Sequence, residues 1–490
     1  MWGDMAMTDW QELAWLDAHA QADLVRTGQI GVEELVEAAI GRIEAANATV
    51  GAVAITDYER ARKQAGDPEF RRALTGSEAT GPLAGVPFLL KDLGAACAGL
   101  EATQGSGLLA GSVPDQDSTL VERFKAGQLL ILGRSNSAEF GVLPTTEPRQ
   151  HGPTRNPWDL GRSSGGSSGG AAAAVAAGLV PVAHANDAGG SIRIPAACCG
   201  VFGLKPTRAR TPLGPQVGDL MNGLAAEHVV SRSVRDSAAA LDLIAGPAPG
   251  DPYPAPPPPG PFRDAVTEPP RRLRIAFTTR AGTATLHAAC AEAVLEAARL
   301  CADLGHTVTE DAPAPAMPDV ADAFLDVWAA GVSSAVTAQS AVAGRTPTPE
   351  AVEELTWWLY ERGRSLSGAH YLLQIGHLQR TARALAAFHD SYDVLISAVT
   401  ASPPPPLGFC AHGNPEQQLA RALAFAHETP LANLTGQPAM SVPLHHDAAG
   451  LPVGVQFTGR YGDEHTLLAL AAQLEQARPW ARRRPPLTHR

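Results

Sequence analysis

Residues 161–178 of the chain read GRSSGGSSGGAAAAVAAG. A tract of glycine and serine is, by composition, typical of a flexible linker. Here a run of strong helix formers follows the tract directly, and an apolar run at 179–185 follows that helix. A linker needs neither element. The context therefore favours a structured turn that begins a helix inside a layered fold.

Apolar and amphipathic patterns on both sides of the tract predict alternating strands and helices. Short apolar runs, typical of buried strands, lie at 52–56, 86–90, 128–133, 179–185, 271–278, 393–398 and 452–459. Helical patterns lie at 9–27, 31–47, 285–304, 317–388 and 463–476. Asp9 is the expected cap of the first helix. We predict an α/β fold with a mixed or parallel sheet, in one domain spanning 1–490, with a Pro-rich surface connection at about 246–262.

The composition limits the class of protein. Apolar residues make up 45% of the 490 residues and charged residues 18%, so a large core can form. The net charge of −12 and the lack of a basic block argue against a nucleic-acid partner. No secretory leader or membrane-length apolar run is visible, which predicts a cytoplasmic protein without a membrane partner. The six cysteines and fifteen histidines form no metal-binding spacing, so we expect no metal and no cofactor.

Lysine is rare in this chain, which makes one lysine conspicuous. Only four of the 38 basic residues are lysines, and Lys91 ends the apolar run PFLLK at 87–91. Burial would favour the neutral amine, and a neutral amine can act as a general base for a serine hydroxyl. The alternatives are a lysine that extends its charge to solvent or an ion pair with Asp92.

Several serines compete for a catalytic role. The pattern GxSxG occurs around Ser163 and again around Ser167, but residues 154–160 (TRNPWDL) are a poor strand for a nucleophile elbow. The tract also lacks the lysine of a phosphate-binding loop. A second Gly-Gly-Ser, at 189–191, follows a predicted strand, and its backbone N–H groups could form an oxyanion hole beside Ser191. The alternative is that Ser191 is an ordinary helix N-cap.

Taken together, the motifs resemble the amidase signature family along essentially the whole chain. The segments that carry the resemblance are GVPFLLKDL (85–93), GRSNSAEFG (133–141), TRNPWDLGRSSGGSSGG (154–170), NDAGGSIRIPA (186–196), CGVFGLKPT (199–207) and LTGQPAMSVPL (434–444). The resemblance implies an amidase signature fold, in which a large mixed β-sheet lies between α-helical layers. It also implies hydrolysis of a C–N bond.

The same resemblance assigns roles to individual residues. Ser191 is expected to be the nucleophile, Lys91 the base, and Ser167, after a cis non-proline peptide bond, the serine between them. The backbone N–H groups expected in the oxyanion hole are those of Ala188, Gly189, Gly190 and Ser191. The remaining site assignments are Ser168, Asp187 and Arg193 as supports of the site and Asn136 as a substrate contact.

The expected substrate is a small neutral amide. Within the family the motifs are most similar to those of bacterial members that hydrolyse nylon oligoamides, and related members cleave aryl amides and carbamates (urethanes). The helical region at about 317–430 is expected to line the pocket with apolar and aromatic side chains, in a monomer or homodimer. The aromatic candidates are Phe324, Trp328, Trp357, Trp358, Tyr360 and Phe425.

Two other functions remain open at the level of sequence. One is the amidase subunit of a tRNA-dependent amidotransferase, which typically has Gln where this chain has Ile194. The other is a non-catalytic scaffold that has kept the fold.

Overall fold

One large sheet organises the protein. The computed structural model describes residues 12–75, 81–280, 285–313 and 320–489. Within them, eleven strands pair in the order β1-β3-β2-β6-β8-β7-β12-β13-β11-β9-β10. These strands are Val53–Thr56 (β1), Pro87–Lys91 (β2), Leu130–Ser135 (β3), Val182–Asp187 (β6), Phe202–Lys205 (β7), Ala226–Ser231 (β8), Arg274–Phe277 (β9), Thr307–Glu310 (β10), Val394–Ala398 (β11), Ala439–His446 (β12) and Pro452–Gly459 (β13).

The sheet is mixed, as predicted. β2 pairs in parallel with β3 and with β6, whereas β6, β8, β7, β12, β13 and β11 pair antiparallel in succession. The Pro-rich segment at 246–261 contains neither helix nor strand and is largely exposed. It connects β8 and its following helix to β9, so strands on both sides of it belong to the same sheet.

Helices cover both faces of the sheet. The α-helices are Ala18–Arg26 (α1), Val32–Val50 (α2), Tyr58–Gly66 (α3), Pro68–Thr75 (α4), Thr119–Ala126 (α5), Gly169–Ala176 (α6), Arg193–Cys199 (α7), Val234–Ile244 (α8), Phe262–Ala265 (α9), Ala288–Asp303 (α10), Val320–Val342 (α11), Glu354–Ser365 (α12), Gly368–Ala386 (α13), Pro415–Ala426 (α14), Thr429–Thr435 (α15) and Glu464–Ala477 (α16).

The alternation of side chains along β2 shows how the two layers form. Leu89 packs in a cluster with residues of α2 and α6, such as Leu35 and Ala171. Its neighbours Phe88 and Leu90 pack in a second cluster with residues of α5 and α8. Because successive strand residues face opposite sides, β2 must be apolar on both faces, and this explains its uninterrupted apolar run.

Two of the helical regions predicted from the sequence, 9–27 and 317–388, can be compared with the helices of the structure. Helix α1 begins at Ala18, and the Asp17 side chain caps it by accepting the Ala20 N–H at 3.0 Å. The predicted cap Asp9 lies outside the described residues. The helical pattern predicted at 317–388 corresponds to the three helices α11, α12 and α13. Residues 343–353 separate the first two and contain Gly344, Pro347 and Pro349, which do not continue a helix.

Residues 155–163 are more ordered than their sequence suggested. Arg155–Asn156 (β4) and Asp159–Ser163 (β5) form a separate two-stranded antiparallel sheet. Pro157 lies in the turn between the two strands, where proline is compatible with a hairpin. The strand before the serine tract therefore exists, but it lies outside the main sheet, unlike the strand of a nucleophile elbow.

Helices α11, α12 and α13 form a lobe that packs beside the sheet. Among the described helices, α11 is the one long and apolar enough to cross a membrane, judged by length and composition. Here it packs against α12 and α13. Its buried Asp326 accepts hydrogen bonds from Arg362 at 3.1 and 2.7 Å and lies 2.7 Å from His370 Nε2. These contacts join the three helices.

The packing of α6 makes a prediction about stability. A Cβ at Gly170 would clash with the backbone of Asn136 and would lie 2.5 Å from Ala52 O, so Gly170→Ala should lower the free energy of unfolding by about 1–3 kcal/mol or more. Gly41 is exposed within α2, and a methyl group there would have no neighbouring atom within 4 Å, so Gly41→Ala should raise that energy by about 0.5–1 kcal/mol. Thermal and urea unfolding of both variants check this; equal effects would contradict it.

Candidate active site

Lys91 lies at the end of β2 with no solvent exposure. Its Nζ is 2.7 Å from Ser167 Oγ and 2.6 Å from Asn186 Oδ1. Burial lowers the pKa of Lys91 to about 7, although the negative charges of Glu227 and Asp187 act in the opposite direction. Lys91 therefore points inward. The alternatives of an exposed lysine and an ion pair with Asp92 do not describe its contacts, because the amine bonds to a serine and an amide.

The serine tract is a buried, anchored turn and the linker interpretation is wrong. Residues 163–170 are all buried. The peptide bond between Gly166 and Ser167 is cis, and Gly165 has φ +76°, in the left-handed region that favours glycine. Thr146 anchors the tract, because its Oγ1 donates to Gly165 O at 2.9 Å and accepts from Gly169 N at 3.0 Å. These anchors hold Ser167 against Lys91.

The Gly189-Gly190-Ser191 turn presents backbone N–H groups beside a serine. Asp187 accepts the Gly190 N–H at 2.7 Å and the Ile192 N–H at 3.1 Å. The N–H groups of Ala188, Gly189 and Ser191 make no hydrogen bond to any residue that the structure describes. Of the four N–H groups expected in the oxyanion hole, that of Gly190 is therefore already bonded to Asp187, and the role of the four groups stays a prediction.

A buried ion pair holds this turn in place. Arg193 Nε and Nη2 each lie 2.9 Å from a carboxylate oxygen of Asp187, and both side chains are fully buried. Asn433 Nδ2 donates to Asp187 Oδ1 at 2.9 Å, and its Oδ1 accepts from Arg193 at 2.7 Å. Burial by itself would raise the pKa of Asp187, but the Arg193 guanidinium holds it well below its usual range. Asp187 and Arg193 therefore support the turn as permanently charged partners.

Two hydroxyl groups add further bonds to the turn. Ser168 Oγ donates to Asn186 O at 3.2 Å, and the Ser168 N–H donates to Ser191 O at 3.3 Å. Thr429, at the start of α15, donates from Oγ1 to Gly189 O at 2.8 Å. These bonds connect the serine tract and α15 to the same turn.

Ser191 lies in the wall of an apolar cavity. The walls are the loop 141–144, residues of α11 and α14, Ile194 and Pro430. The six-membered ring of Trp328 lies over Gly189. Its nearest atom, Cζ3, is 3.4 Å from the position that a Cβ would take at Gly189. Apart from Ser191, the lining side chains carry no hydroxyl or charged group, so the cavity suits an uncharged, apolar substrate group.

The aromatic candidates divide between cavity and core. Phe324 and Trp328 line the cavity, with ring centroids 5.6 Å apart. Tyr360 is buried in the apolar contact between the lobe and residues 108–140, and Trp357 and Trp358 pack against that cluster. Phe425 belongs to another core cluster. Four of the six aromatic residues therefore stabilise the fold around the cavity.

Asn136 lies away from this cavity. Its Nδ2 donates to Gly152 O and to Thr154 Oγ1, both at 3.0 Å, and its Oδ1 accepts the Ser137 N–H at 3.0 Å. It is not among the residues that line the cavity at Ser191. The amide of Asn136 holds neighbouring loops in this structure, and its assignment as a substrate contact stays a prediction.

The structure brings Lys91 and Ser167 into direct contact, and Ser167 next to the cavity. Ser167 Oγ is 3.3 Å from the position of a Cβ at Gly141, which lines the cavity with Ser191. The Ser191 hydroxyl makes no hydrogen bond to another described residue, and Ser191 is 8% exposed. Hydroxyl groups of this kind often complete their hydrogen bonds only when substrate is present.

Sequence reasoning missed several residues of the site. Asn186 stands directly before Asp187 in the quoted motif, and its position at the end of a predicted strand was a usable signal. Thr429 and Asn433 gave no such signal, because they lie 240 and 246 residues along the chain from the atoms that they contact.

Residues 34–468 match the family described as Amidase, so the chain belongs to the amidase family, as its motifs implied. It is an enzyme of the class that hydrolyses amide bonds. A 6-aminohexanoate-cyclic-dimer hydrolase from Pseudomonas sp. (strain NK87) is 40% identical over 489 residues, which cover 96% of this chain and 97% of that protein.

Solved structures agree with this assignment and with the predicted amidase signature fold. The structure of 6-aminohexanoate cyclic dimer hydrolase complexed with substrate has a TM-score of 0.89 at 37% identity, covering 97% of this chain and 100% of that one. A bacterial aryl acylamidase of the amidase signature family has a TM-score of 0.87 at 28% identity, covering 95% and 97%.

Proposed function

We propose that this enzyme hydrolyses small neutral amides through an acyl-Ser191 intermediate, with Lys91 as the base and Ser167 as the proton carrier between them. The observation that carries the proposal is the buried Lys91 amine, 2.7 Å from Ser167 Oγ and beside the cavity onto which Ser191 opens. A lysine in contact with a serine hydroxyl, next to a second serine and unpaired N–H groups, has the parts of a Ser-Lys acyl-transfer site.

In the first half-reaction the neutral Lys91 amine accepts the proton of Ser167, which accepts the proton of Ser191. The Ser191 Oγ forms a bond to the substrate carbonyl carbon, and the carbonyl oxygen becomes an oxyanion. The free N–H groups of Ala188, Gly189 and Ser191 donate to that oxyanion. This step requires a hydrogen bond from Ser191 to Ser167, which we expect to form when substrate fills the cavity.

The tetrahedral intermediate then collapses and the C–N bond breaks, while Ser167 and the Lys91 ammonium return a proton to the departing amine. In the second half-reaction water attacks the acyl-Ser191 ester and the same groups take its proton. The bond between the acyl carbon and Ser191 Oγ then breaks, Ser191 regains its proton through these groups, and the acid product leaves. A carbamate would react in the same way and release an amine, an alcohol and carbon dioxide.

The cavity supports a neutral substrate. An unpaired charge among the apolar walls would cost several kcal/mol, so amide groups flanked by methylene or aryl carbon fit better than free amino acids. The names of the relatives support the same classes: a cyclic 6-aminohexanoate dimer and an aryl amide. We therefore propose oligoamides and aryl amides as substrates, and carbamates as a further class.

The alternative function is that of the amidase subunit of a tRNA-dependent amidotransferase. Ile194 lies in the cavity wall, where an apolar side chain offers nothing to a glutamine carboxamide, and the net charge of −12 is unfavourable for a tRNA complex. Activity of the single purified chain on amides would support the hydrolase. The expected cytoplasmic location and the lack of nucleic-acid or membrane partners rest on the sequence.

The proposed roles predict which alanine variants lose activity. Ser191→Ala should abolish turnover, and Lys91→Ala and Ser167→Ala should each lower kcat/KM by roughly a thousandfold or more. Double variants should be little worse, because the three groups act as a unit. Ser163→Ala, in the same tract, is the matched control and should be mild. An active Ser191→Ala, or a well-folded but inactive Ser163→Ala, would refute the assignment.

The pKa of Lys91 predicts the pH dependence. The protonated amine cannot accept a proton, so kcat/KM should be low below pH 7 and rise through the lysine pKa of about 7. Rates on a slow anilide, for which chemistry limits turnover, measure this rise. Lys91→Arg keeps the positive charge but cannot lose its proton, so it should be inactive. A flat profile from about pH 6 to 9, or an active arginine variant, is incompatible with the role.

The apolar cavity predicts the substrate order. The kcat/KM should be higher for a neutral anilide, the cyclic 6-aminohexanoate dimer and a small aryl carbamate than for glutamine. Ala422→Asp, which places a carboxylate in the cavity wall, should lower kcat/KM for the anilide at least about tenfold. The control Ala424→Asp, exposed on the same helix, should not. Preference for glutamine would overturn the neutral-substrate proposal.

A further inference from the structure

A second group of polar side chains is buried behind the Lys91 amine. Asn186 Oδ1 lies 2.6 Å from Lys91 Nζ. On the other side of the same amide, Asn186 Nδ2 donates to Leu93 O at 3.0 Å and to Glu227 Oε1 at 3.3 Å. Both acceptors lie on the Nδ2 side, so the amide is held with its oxygen towards the lysine.

His184 fixes the other end of this group. Its Nδ1 accepts the backbone N–H of Lys91 at 3.1 Å, so Nδ1 carries no proton and the ring proton of the neutral imidazole lies on Nε2. That Nε2 donates to Glu227 Oε2 at 2.7 Å. Glu227 therefore accepts with both oxygens, one hydrogen bond from His184 and one from Asn186. His184, which contacts the Lys91 backbone, and Asn186, which contacts the Lys91 amine, are thus bonded to one carboxylate.

The orientation of Asn186 decides where the lone pair of Lys91 points. A neutral amine has two N–H bonds and one lone pair. Because Asn186 Oδ1 can only accept, it takes one N–H and leaves the lone pair available to the Ser167 hydroxyl. In the flipped amide, Nδ2 would donate to the amine and occupy the lone pair that the reaction needs.

We propose that Asn186 and Glu227 are positioning residues for Lys91: Asn186 directs the amine lone pair to Ser167, and Glu227, held by His184, fixes the Asn186 amide and places a negative charge behind the amine. This inference rests on the proposed role of Lys91 as the base. It gives a function to Asn186, Glu227 and His184, none of which donates or accepts a proton in the proposed reaction.

The charged and titratable groups around Lys91 come from each neighbouring strand. Asp92 follows it directly after the end of β2, and Arg134 of β3 donates to Lys91 O at 3.0 Å. His184 and Asp187 lie on β6, and Glu227 lies on β8. Of these, Glu227 and Asp187 raise the pKa of Lys91 against the effect of burial. Asp187 is already paired with Arg193, which leaves Glu227 as the group whose charge can be removed without breaking the ion pair under the Gly-Gly turn.

Two isosteric substitutions test the proposal because their effects have opposite signs. Glu227→Gln removes a negative charge near the amine, so the ammonium is less stable and the rise in kcat/KM should move to lower pH by about one pH unit. Asn186→Asp adds a carboxylate in contact with Nζ, so the rise should move to higher pH by about 1–3 pH units, with low activity at neutral pH that recovers in base. A purely structural role would lower activity without moving the two profiles in opposite directions.

A direct titration separates this proposal from the proposed function. The chain has only four lysines, so ¹³Cε-lysine labelling gives four signals, and the Lys91 signal is the one missing in Lys91→Arg. Titrating Ser191→Ala, alone and combined with each substitution, reports the lysine without any turnover. Glu475→Gln, a carboxylate change in α16, is the matched control and should leave the Lys91 titration unchanged.

The outcomes are distinct. Opposite movement of the Lys91 titration and of the pH profile in the two variants supports the proposal. Unmoved or parallel titrations overturn it, even when the alanine variants of the catalytic residues behave as expected. Opposite movement of the titration with no matching movement of the rate overturns instead the role of Lys91 as the base. If Glu227→Gln does not fold, Asn186→Asp decides alone, because a titration that does not rise contradicts the contact.

Discussion

The burial of one amine organises the site. Lys91 is the last residue of a strand that is apolar on both faces, and the strand carries its side chain into the layer between sheet and helices. There the amine is fully buried, so its hydrogen-bonding partners must come from the protein. Ser167 and Asn186 are those partners, and the serine tract and the NDAGGS turn are the segments that deliver them.

One of the carboxylates near this amine, that of Asp187, lies in a buried ion pair. Asp187 is neutralised by Arg193 and is occupied by the backbone N–H groups of the turn, so it acts as a rigid support. The shape of the turn that carries the proposed oxyanion donors is therefore set by a buried ion pair. Such a pair contributes little net stability, but breaking it would leave an uncompensated charge, which makes the turn hard to deform.

The helical walls of the cavity and the residues Lys91, Ser167 and Ser191 come from different parts of the molecule. The sheet and the turns that follow it supply Lys91, Ser167 and Ser191, whereas α11 and α14 supply most of the apolar walls. Asp326, Arg362 and His370 join α11 to the other helices of its lobe, and these contacts hold Phe324 and Trp328 over Gly189. The helical walls of the cavity and the groups in contact with Lys91 thus lie on separate elements of the fold.

The sequence by itself determined the strands, the mixed α/β architecture and the positions of Lys91, Ser167 and Ser191. It could do so because apolar periodicity is local and because a lysine in an apolar run and two Gly/Ser turns are short motifs. It did not fix where the helices within 317–388 begin and end, and it could not show that the Gly190 N–H is already bonded to Asp187.

The tertiary structure decided which hydrogen-bonding groups of the site are already used within the protein. The bonds of Asn433 to Asp187, of Thr429 to Gly189 and of Glu227 to Asn186 depend on which atoms the sheet and α15 bring within 3.3 Å. A residue type shows what a side chain can donate or accept. Whether that capacity is free for a substrate or already used within the fold depends on neighbours from distant parts of the chain, and only their placement in space reveals it.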